Sequence, residues 1–155
     1  MPDQVKPPSQ TPPPGASAST KVVPTILVVD DNPGDIELVR IAFEMTDMPV
    51  RMDWVTDGHE AMRRLERTVD GVGDLPELIL LDLNMPRANG FEVLRFLRDQ
   101  GLTARVPVIV LSTSRQAEDR RRCLELGARE FRTKPELIRD LVDMVRSLQS
   151  YLTAK

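Results

Sequence analysis

Residues 26–39 read ILVVDDNPGDIELV, and the change of pattern within this stretch decides the fold. The stretch opens with four apolar residues that are β-branched or leucine, which is typical of a strand buried on both faces. Two aspartates and the turn residues asparagine, proline and glycine follow. Beyond them, apolar residues at positions 38, 41, 42 and 45 share one helical face. The sequence therefore predicts a strand over 26–29 and a helix over 35–46.

The same pattern recurs along the rest of the chain. Apolar runs at 78–81 and 108–111 predict two further buried strands, while weaker strands fit 50–56 and 129–133, as expected for edges. Further helices are predicted over 58–69, 90–100, 116–126 and 136–152. Strands and helices that alternate, five of each, favour a doubly wound α/β fold with a five-stranded parallel sheet. Three interior strands and two edge strands fit the flavodoxin-like strand order 2-1-3-4-5.

The chain has 155 residues, and its composition changes near residue 24. Seven of the 13 prolines lie within residues 1–24, together with serines, threonines and alanines. We expect this segment to be a disordered tail that serves as a spacer, the alternative being a ligand for a proline-binding domain. Residues 25–155 form the single predicted domain, which is long enough to bury a core.

Composition and charge exclude several classes of protein. The single cysteine, Cys123, cannot form a disulfide framework, and the longest apolar runs, of about five residues, are too short for a membrane span. The net charge of −3, without a concentrated basic footprint, argues against nucleic-acid binding. We therefore expect a cytoplasmic domain that binds neither nucleic acid nor membrane.

Polar side chains stand where the predicted strands end. Asp30 and Asp31 follow the first strand, Asp82 follows the third, Ser112 follows the fourth, and Lys134 follows the fifth. In such sheets ligands bind at the carboxyl ends of the strands, which lie at one edge. Any one of these residues alone is ordinary turn or N-cap chemistry, but the five together favour a functional site.

Three carboxylates in one crevice repel each other. At about 5 Å and an effective dielectric constant near 20, each pair costs about 3 kcal/mol. One lysine cannot neutralise three carboxylates, whereas Mg²⁺ suits a site of few carboxylates, water and phosphate oxygens. A carboxylate nucleophile beside a cation and a lysine suits phosphoryl transfer to an aspartate, and the hydroxyl of Ser112 can hydrogen-bond a phosphoryl oxygen.

These residues lie within longer stretches that resemble the receiver domain of two-component response regulators. The spacing also fits, with 30 residues from Asp82 to Ser112 and a further 22 to Lys134. Within that family the chain is similar to stand-alone regulators that pair with phytochrome histidine kinases. The matching stretches are ILVVDDNPGDIELV, VTDGHEAMRRL, PELILLDLNMPRANGFEVLRFLR, VPVIVLSTS, LGAREF and TKP.

The resemblance implies a role for each site residue. It makes Asp82 the phosphoacceptor, and it implies that Asp31, Asp82 and the backbone carbonyl of Asn84 bind Mg²⁺ directly while Asp30 binds through a water. The phosphoryl contacts that it implies come from Ser112, Thr113 and Lys134. It also implies a cis bond from Lys134 to Pro135.

The resemblance further implies that Ser112 is the switch hydroxyl and Phe131 the aromatic residue that repacks when Ser112 moves. Two positions depart from the family pattern. Phenylalanine at 131 lacks the hydroxyl that a tyrosine would carry, and Glu136 stands where many receivers have an apolar residue. Both positions lie on the face formed by the fourth helix, the fifth strand and the fifth helix, which usually reads out phosphorylation.

The last predicted helix, 136–152, has a broad apolar arc of about 180°, whereas a helix that covers one sheet face needs about 100°. We expect an exposed apolar strip that forms a homodimer, the alternative being a core helix. The strip and the residues near its end are Ile138, Leu141, Val145, Leu148, Tyr151 and Leu152.

The leading hypothesis is a phosphorylation-controlled signalling switch. A sensor histidine kinase, such as a bacteriophytochrome, would donate a phosphoryl group to Asp82 with Mg²⁺. No output domain is expected, so the signal would pass through protein–protein contacts. The protein would not be an enzyme beyond self-catalysed phosphorylation and dephosphorylation.

Two alternatives stay open. One is an interaction module that acts without phosphorylation. The other is a Mg²⁺-dependent phosphatase of the haloacid-dehalogenase type, which needs an acid/base aspartate two residues after the nucleophile. This chain has Asn84 there.

Overall fold

The computed structural model describes residues 23–85 and 89–152. The proline-rich segment predicted over 1–24 lies outside these residues except for its last two positions. Its disorder and the domain boundary at residue 25 therefore stay predictions.

The described residues form a five-stranded parallel sheet in the order β2-β1-β3-β4-β5, which confirms the predicted topology. Interior strands β1, β3 and β4 are almost wholly apolar and buried, as a sheet covered on both faces requires. The edge strands β2 and β5 carry charged residues, also as predicted. The five strands are β1 Thr25–Val29, β2 Arg51–Val55, β3 Leu78–Asp82, β4 Val108–Ser112 and β5 Glu130–Thr133.

Helices cover both faces of this sheet and create two apolar layers. Leu27 and Val29 of β1 point into a cluster with α2 and α3, while Ile26 and Val28 point into a second cluster with α1 and α5. This division follows from the alternation of side chains along a strand. The helices are α1 Pro33–Met45, α2 Gly58–Val69, α3 Gly90–Asp99, α4 Ala117–Glu125, α5 Ile138–Ser147 and α6 Gln149–Leu152.

The C-terminal helical segment differs from the prediction in two ways. The helix expected over 136–152 is divided into α5 and α6, because the chain tightens at Leu148, whose N–H donates to the carbonyl of Val145 at 2.9 Å. A sixth helical segment therefore joins the five that were predicted. The helix also begins later, at Ile138, since Leu137 is extended and acts as its N-cap.

Most of the apolar strip on this segment is buried, so the predicted exposure is wrong for four of its six residues, while Ile138 is 40% exposed as predicted. Leu141, Val145, Leu148 and Leu152 are buried in the core with α1 and the sheet, and Val145 and Leu148 are 0% exposed. Tyr151 packs on the edge of the same cluster. The spacing of three and four residues is the same for a core helix as for an interface helix, so the pattern could not separate them.

Cys123 of α4 is fully buried in the α2–α3 layer, and burial raises the pKa of its thiol to about 11. Among residues 23–85 and 89–152, no helix is long and apolar enough to cross a membrane.

Candidate functional site

The strand register brings the predicted site residues to one edge of the sheet. Asp82 is the last residue of β3 and pairs with Leu111 of β4, so Ser112 stands one position further along. Asp30 follows β1 directly, and Lys134 follows β5. Because all the strands are parallel, these side chains meet at the carboxyl edge of the sheet.

Three carboxylates form the centre of the site. Asp30, Asp31 and Asp82 each place an oxygen within 4.8 Å of those of the other two. Asp30 and Asp82 are only 5% exposed, whereas Asp31 is half-buried at the mouth of the site. Backbone amides hold the two buried groups, since the N–H of Asn32 donates to Asp30 at 2.9 Å and that of Asn84 donates to Asp82 at 3.2 Å.

Lys134 supplies the positive charge that these carboxylates need. Its Nζ lies 2.9 Å from Asp30 Oδ2 and 3.6 Å from Asp82 Oδ1. A further carboxylate, Asp35 in the first turn of α1, is 2.8 Å away. Burial lowers the pKa of Lys134, but the hydrogen bonds to Asp35 and Asp30 outweigh burial, so this pKa stands above its ordinary value.

The electrostatic environment raises the pKa of Asp82 to about 6. Burial is the largest cause, and it is opposed by the ammonium group of Lys134. The negative charges of Asp30 and Asp31 also raise this pKa, whereas the amide of Asn84 lowers it. In the absence of a bound cation, Asp82 therefore carries its negative charge at a cost in free energy.

The hydroxyl groups flank the carboxylates. Ser112 is fully buried, and its Oγ accepts a hydrogen bond from the N–H of Ser114 at 3.0 Å. Thr113 is exposed, and the side-chain amide of Asn84 lies 3.5 Å from its hydroxyl oxygen. Phe131, a residue of β5, is buried in the α2–α3 layer.

The β3–α3 loop is held close to Asp82 by a glycine. A Cβ at Gly90 would lie 2.5 Å from the carbonyl oxygen of Asp82, so no larger residue fits without displacing the strand end. The N–H of Gly90 donates to the carbonyl of Leu83 at 3.0 Å. Asn89 and Glu92 form a capping box that begins α3 directly afterwards.

The structure brings Asp30, Asp31, Asp82 and Lys134 together, but it departs from the prediction at one peptide bond and adds one residue that the prediction lacked. The described residues contain no cis peptide bond, so the expected cis bond from Lys134 to Pro135 is wrong for this structure. The trans form is the lower-energy isomer of such a bond. The sequence reasoning also missed Asp35, whose only local signal is its place in the first turn of a helix that follows a strand end.

The donor set fits a hard divalent cation. Carboxylate oxygens are the ligands that Mg²⁺ and Mn²⁺ prefer, and the site offers three of them within 4.8 Å of one another. The ammonium of Lys134 cannot balance four neighbouring carboxylates alone. Asp30, Asp31 and Asp82 would hold the cation, and it would offset charge on these oxygens.

Comparison with known proteins explains this arrangement. The model of the response regulator receiver domain family matches residues 26–146, which is most of the chain. The chain belongs to this family. Receiver domains are the signalling modules of two-component systems.

Phytochrome-associated regulators are among the similar receiver domains. Rcp1 of Synechocystis sp. is 33% identical over 127 residues, which cover 81% of this chain and 86% of Rcp1. The crystal structure of Mn²⁺-bound Rcp1 aligns with a TM-score of 0.73 at 32% identity, covering 85% of this chain and 96% of that one.

A second structure, that of the phosphorylated cyanobacterial phytochrome response regulator RcpA, gives a TM-score of 0.75 at 31% identity. It covers 86% of this chain and 97% of RcpA. The chain spans only about half the length of several transcriptional regulators that it also matches.

Proposed function

We propose that this receiver domain is a phosphorylation-controlled switch whose acceptor is Asp82. The observation that carries the proposal is the position of Asp82. This buried carboxylate lies within 4.8 Å of two others and 3.6 Å from the ammonium of Lys134. The group is therefore placed where both a divalent cation and a lysine can contact an incoming phosphoryl group.

The reaction uses Asp82 as a nucleophile. An oxygen of its carboxylate attacks the phosphorus of a phosphohistidine on a sensor kinase, and the bond between phosphorus and the imidazole nitrogen breaks. The electron pair of that bond stays on the imidazole, which takes a proton from solvent. Mg²⁺, when bound, neutralises charge on the phosphoryl oxygens. We propose Asp30, Asp31, Asp82 and the carbonyl of Asn84 as its ligands.

Hydrogen-bond donors around the acceptor would hold the phosphoryl group. Lys134 Nζ lies 3.6 Å from Asp82 Oδ1, while Thr113 is exposed beside the site. Ser112, whose Oγ accepts a hydrogen bond from the N–H of Ser114, would move toward the phosphoryl group and donate its own O–H to a phosphoryl oxygen. No turnover of a separate substrate is proposed, only self-catalysed gain and loss of the phosphoryl group.

The movement of Ser112 would change the surface formed by α4 and β5. Phe131 packs in the layer beneath this surface, and the guanidinium of Arg120 on α4 donates to the carbonyl of Phe131 at 3.2 Å. Displacement of Phe131 therefore pulls on a bond that joins α4 to β5. Such a two-state surface can present different contacts to a partner protein.

The proposed upstream partner is a sensor histidine kinase of the phytochrome type, supported by the similarity to Rcp1 and RcpA. A cytoplasmic location follows from that partnership as a prediction. Homodimerisation also stays a prediction, and it would need the exposed residues of the C-terminal segment, such as Ile138, which is 40% exposed.

Mass spectrometry after incubation with acetyl phosphate and Mg²⁺ tests the acceptor. The wild-type chain should gain one phosphoryl group, and Asp82→Asn should gain none. Asp140→Asn, which removes an exposed carboxylate in the first turn of α5, is the control and should behave like wild type. An absence of added mass in wild type, or added mass that survives Asp82→Asn, contradicts the proposal.

A further inference from the structure

Asp35 is a charged residue near the site for which the proposed chemistry has no role. Its Oδ2 lies 2.8 Å from Nζ of Lys134, which is closer than either Asp30 at 2.9 Å or Asp82 at 3.6 Å. The contact joins residues 99 positions apart in the sequence. The side chain of Lys134 is 17% exposed and that of Asp35 is 37% exposed, so Asp35 is the more solvent-exposed partner of this ion pair.

An ammonium group has three N–H donors, and the geometry accounts for each of them. Two donate to Asp30 and Asp35. The nearest acceptor for the third is Asp82 Oδ1, which is too far for a hydrogen bond but close enough for a phosphoryl oxygen to bridge the gap. Holding two donors fixes the direction of the third, since the three N–H bonds point to the corners of a tetrahedron.

The local sequence holds Asp35 firmly in this position. Asn32 is the N-cap of α1, and its side chain accepts a hydrogen bond from the N–H of Asp35 at 3.1 Å. Pro33 in the first turn fixes the start of the helix. The negative charge of Asp35 is also favourable at a helix N-terminus. A lysine side chain has four rotatable bonds, whereas this carboxylate is anchored to a rigid helix end.

We propose that Asp35 is a positioning residue that holds Lys134 so that its remaining N–H points at the phosphoryl group on Asp82. The inference rests on the proposed phosphorylation of Asp82 and adds a residue to it. Without Asp35, the ammonium group of Lys134 keeps only Asp30 as a hydrogen-bond acceptor, so it can rotate and its remaining N–H is no longer held toward Asp82. Pre-organisation of a charged donor is a substantial part of such a site's effect, because the donor then needs no reordering during the reaction.

Phosphorylation kinetics give the first test. Asp35→Asn should slow phosphorylation by acetyl phosphate and weaken beryllofluoride binding, each by about five- to tenfold. Asp140→Asn is a matched control, because it also removes an acidic residue from the first turn of a helix. It should stay within about twofold of wild type. In a Lys134→Met background, Asp35→Asn should have no further effect, since Asp35 acts through Lys134.

NMR of the lysine ammonium group gives a second test that does not depend on phosphorylation. The chain has four lysines, and the Nζ signal of Lys134, identified by its loss in Lys134→Met, should be protected from exchange in wild type. That protection should fall in Asp35→Asn and persist in Asp140→Asn. If wild type takes no phosphoryl group, the proposed function fails while this measurement still decides whether Asp35 holds the lysine.

Three results would overturn the positioning role. One is an Asp35→Asn variant whose kinetics match those of wild type. Another is an equal loss in Asp140→Asn, which would point to net charge or to helix stability. The third is a further loss caused by Asp35→Asn when Lys134 is already methionine. Unchanged exchange protection of Lys134 in Asp35→Asn would contradict the hydrogen bond itself.

Discussion

At Asp82, the proposed chemistry and the stability of the fold make opposite demands on one carboxyl group. A nucleophile must be negatively charged and close to a cation site. The fold places it in a buried position beside Asp30 and Asp31, and this raises its pKa to about 6. The cation-free protein is therefore less stable with a charged Asp82 than it would be with a neutral side chain there.

Asp82→Asn should stabilise the cation-free protein above about pH 7. The folded chain holds this proton more tightly than the unfolded chain, whose pKa is near 3.8, so wild-type stability falls as pH rises from about 4 to about 6. The shift corresponds to about 3 kcal/mol at most, which solvent near the site reduces to about 1–2 kcal/mol. Urea unfolding in a chelator, at a series of pH values, measures the difference.

The gain from Asp82→Asn should shrink as the pH falls and should nearly vanish by about pH 4, where wild-type Asp82 is protonated as well. Asp140→Asn serves as the control, since this carboxylate is exposed, and its unfolding free energy should change by less than about 0.5 kcal/mol. Equal free energies of unfolding for wild type and Asp82→Asn at about pH 8 would show that the negative charge of Asp82 does not destabilise the fold.

At the scale of the elements, α5 shows that a correctly predicted apolar helix face can be assigned to the wrong contact, here a dimer interface instead of the protein core. Its apolar residues have the regular spacing that the sequence shows, although the helix begins at Ile138 and ends at Ser147 instead of spanning 136–152. The strip packs against α1 across the sheet face. Periodicity identifies which residues share a face, but it does not say whether that face meets the same chain or another one.

Leu148→Ala and Ile138→Ala test whether this apolar strip packs within its own chain or against a second one. Leu148 is fully buried, so its truncation should lower the free energy of unfolding by about 2–4 kcal/mol because it leaves a cavity. Ile138 is 40% exposed on the same helix, and its truncation should cost less than about 1 kcal/mol. Chemical denaturation measures both. If Leu148→Ala instead unfolds like wild type and changes only the sedimentation coefficient, the strip is an interface after all.

At the scale of the whole molecule, binding of a divalent cation should raise the stability of the chain. The fold brings Asp82 beside Asp30 and Asp31, which lie more than 50 positions away in the sequence, so the cluster of three carboxylates forms only in the folded state and a cation binds that state selectively. At a hundredfold excess over Kd, the gain is about 2.7 kcal/mol. Thermal unfolding at increasing Mg²⁺ concentrations should therefore show a steady rise in Tm.

The matched variants for this titration are Asp31→Asn and Asp140→Asn. Asp31→Asn replaces one negatively charged carboxylate of the cluster with a neutral amide, and this variant should show a much smaller rise in Tm. Asp140→Asn keeps the cluster and should respond as wild type does. If the Tm of wild type does not change with Mg²⁺, the cluster does not bind this cation. If the Tm rises equally in Asp31→Asn, Mg²⁺ binds at another place on the protein.

The sheet and most of the acidic site could be predicted because each buried strand, and the residue at which it ends, is visible in a short stretch of sequence. Each interior strand is a short apolar run, and Asp30, Asp82 and Ser112 stand where the runs end. Asp35 could not be found in this way, since it lies on a helix and its partner Lys134 is 99 positions away. The burial of Leu148 depends on where α1 comes to lie, which is a property of the assembled chain.

The hydrogen bond from Lys134 to Asp30 connects the first and last strands of the sheet, because Asp30 follows β1 and Lys134 follows β5, 104 positions later. Ribosomes make chains from the N-terminus, so β1 to β4 leave the exit tunnel before β5 does. A nascent chain at that stage holds its acidic residues without the ammonium that balances them. The proposed acceptor pocket is complete only when β5 has paired, so under the proposed function a kinase would meet a competent acceptor only on a chain whose synthesis has passed the last strand.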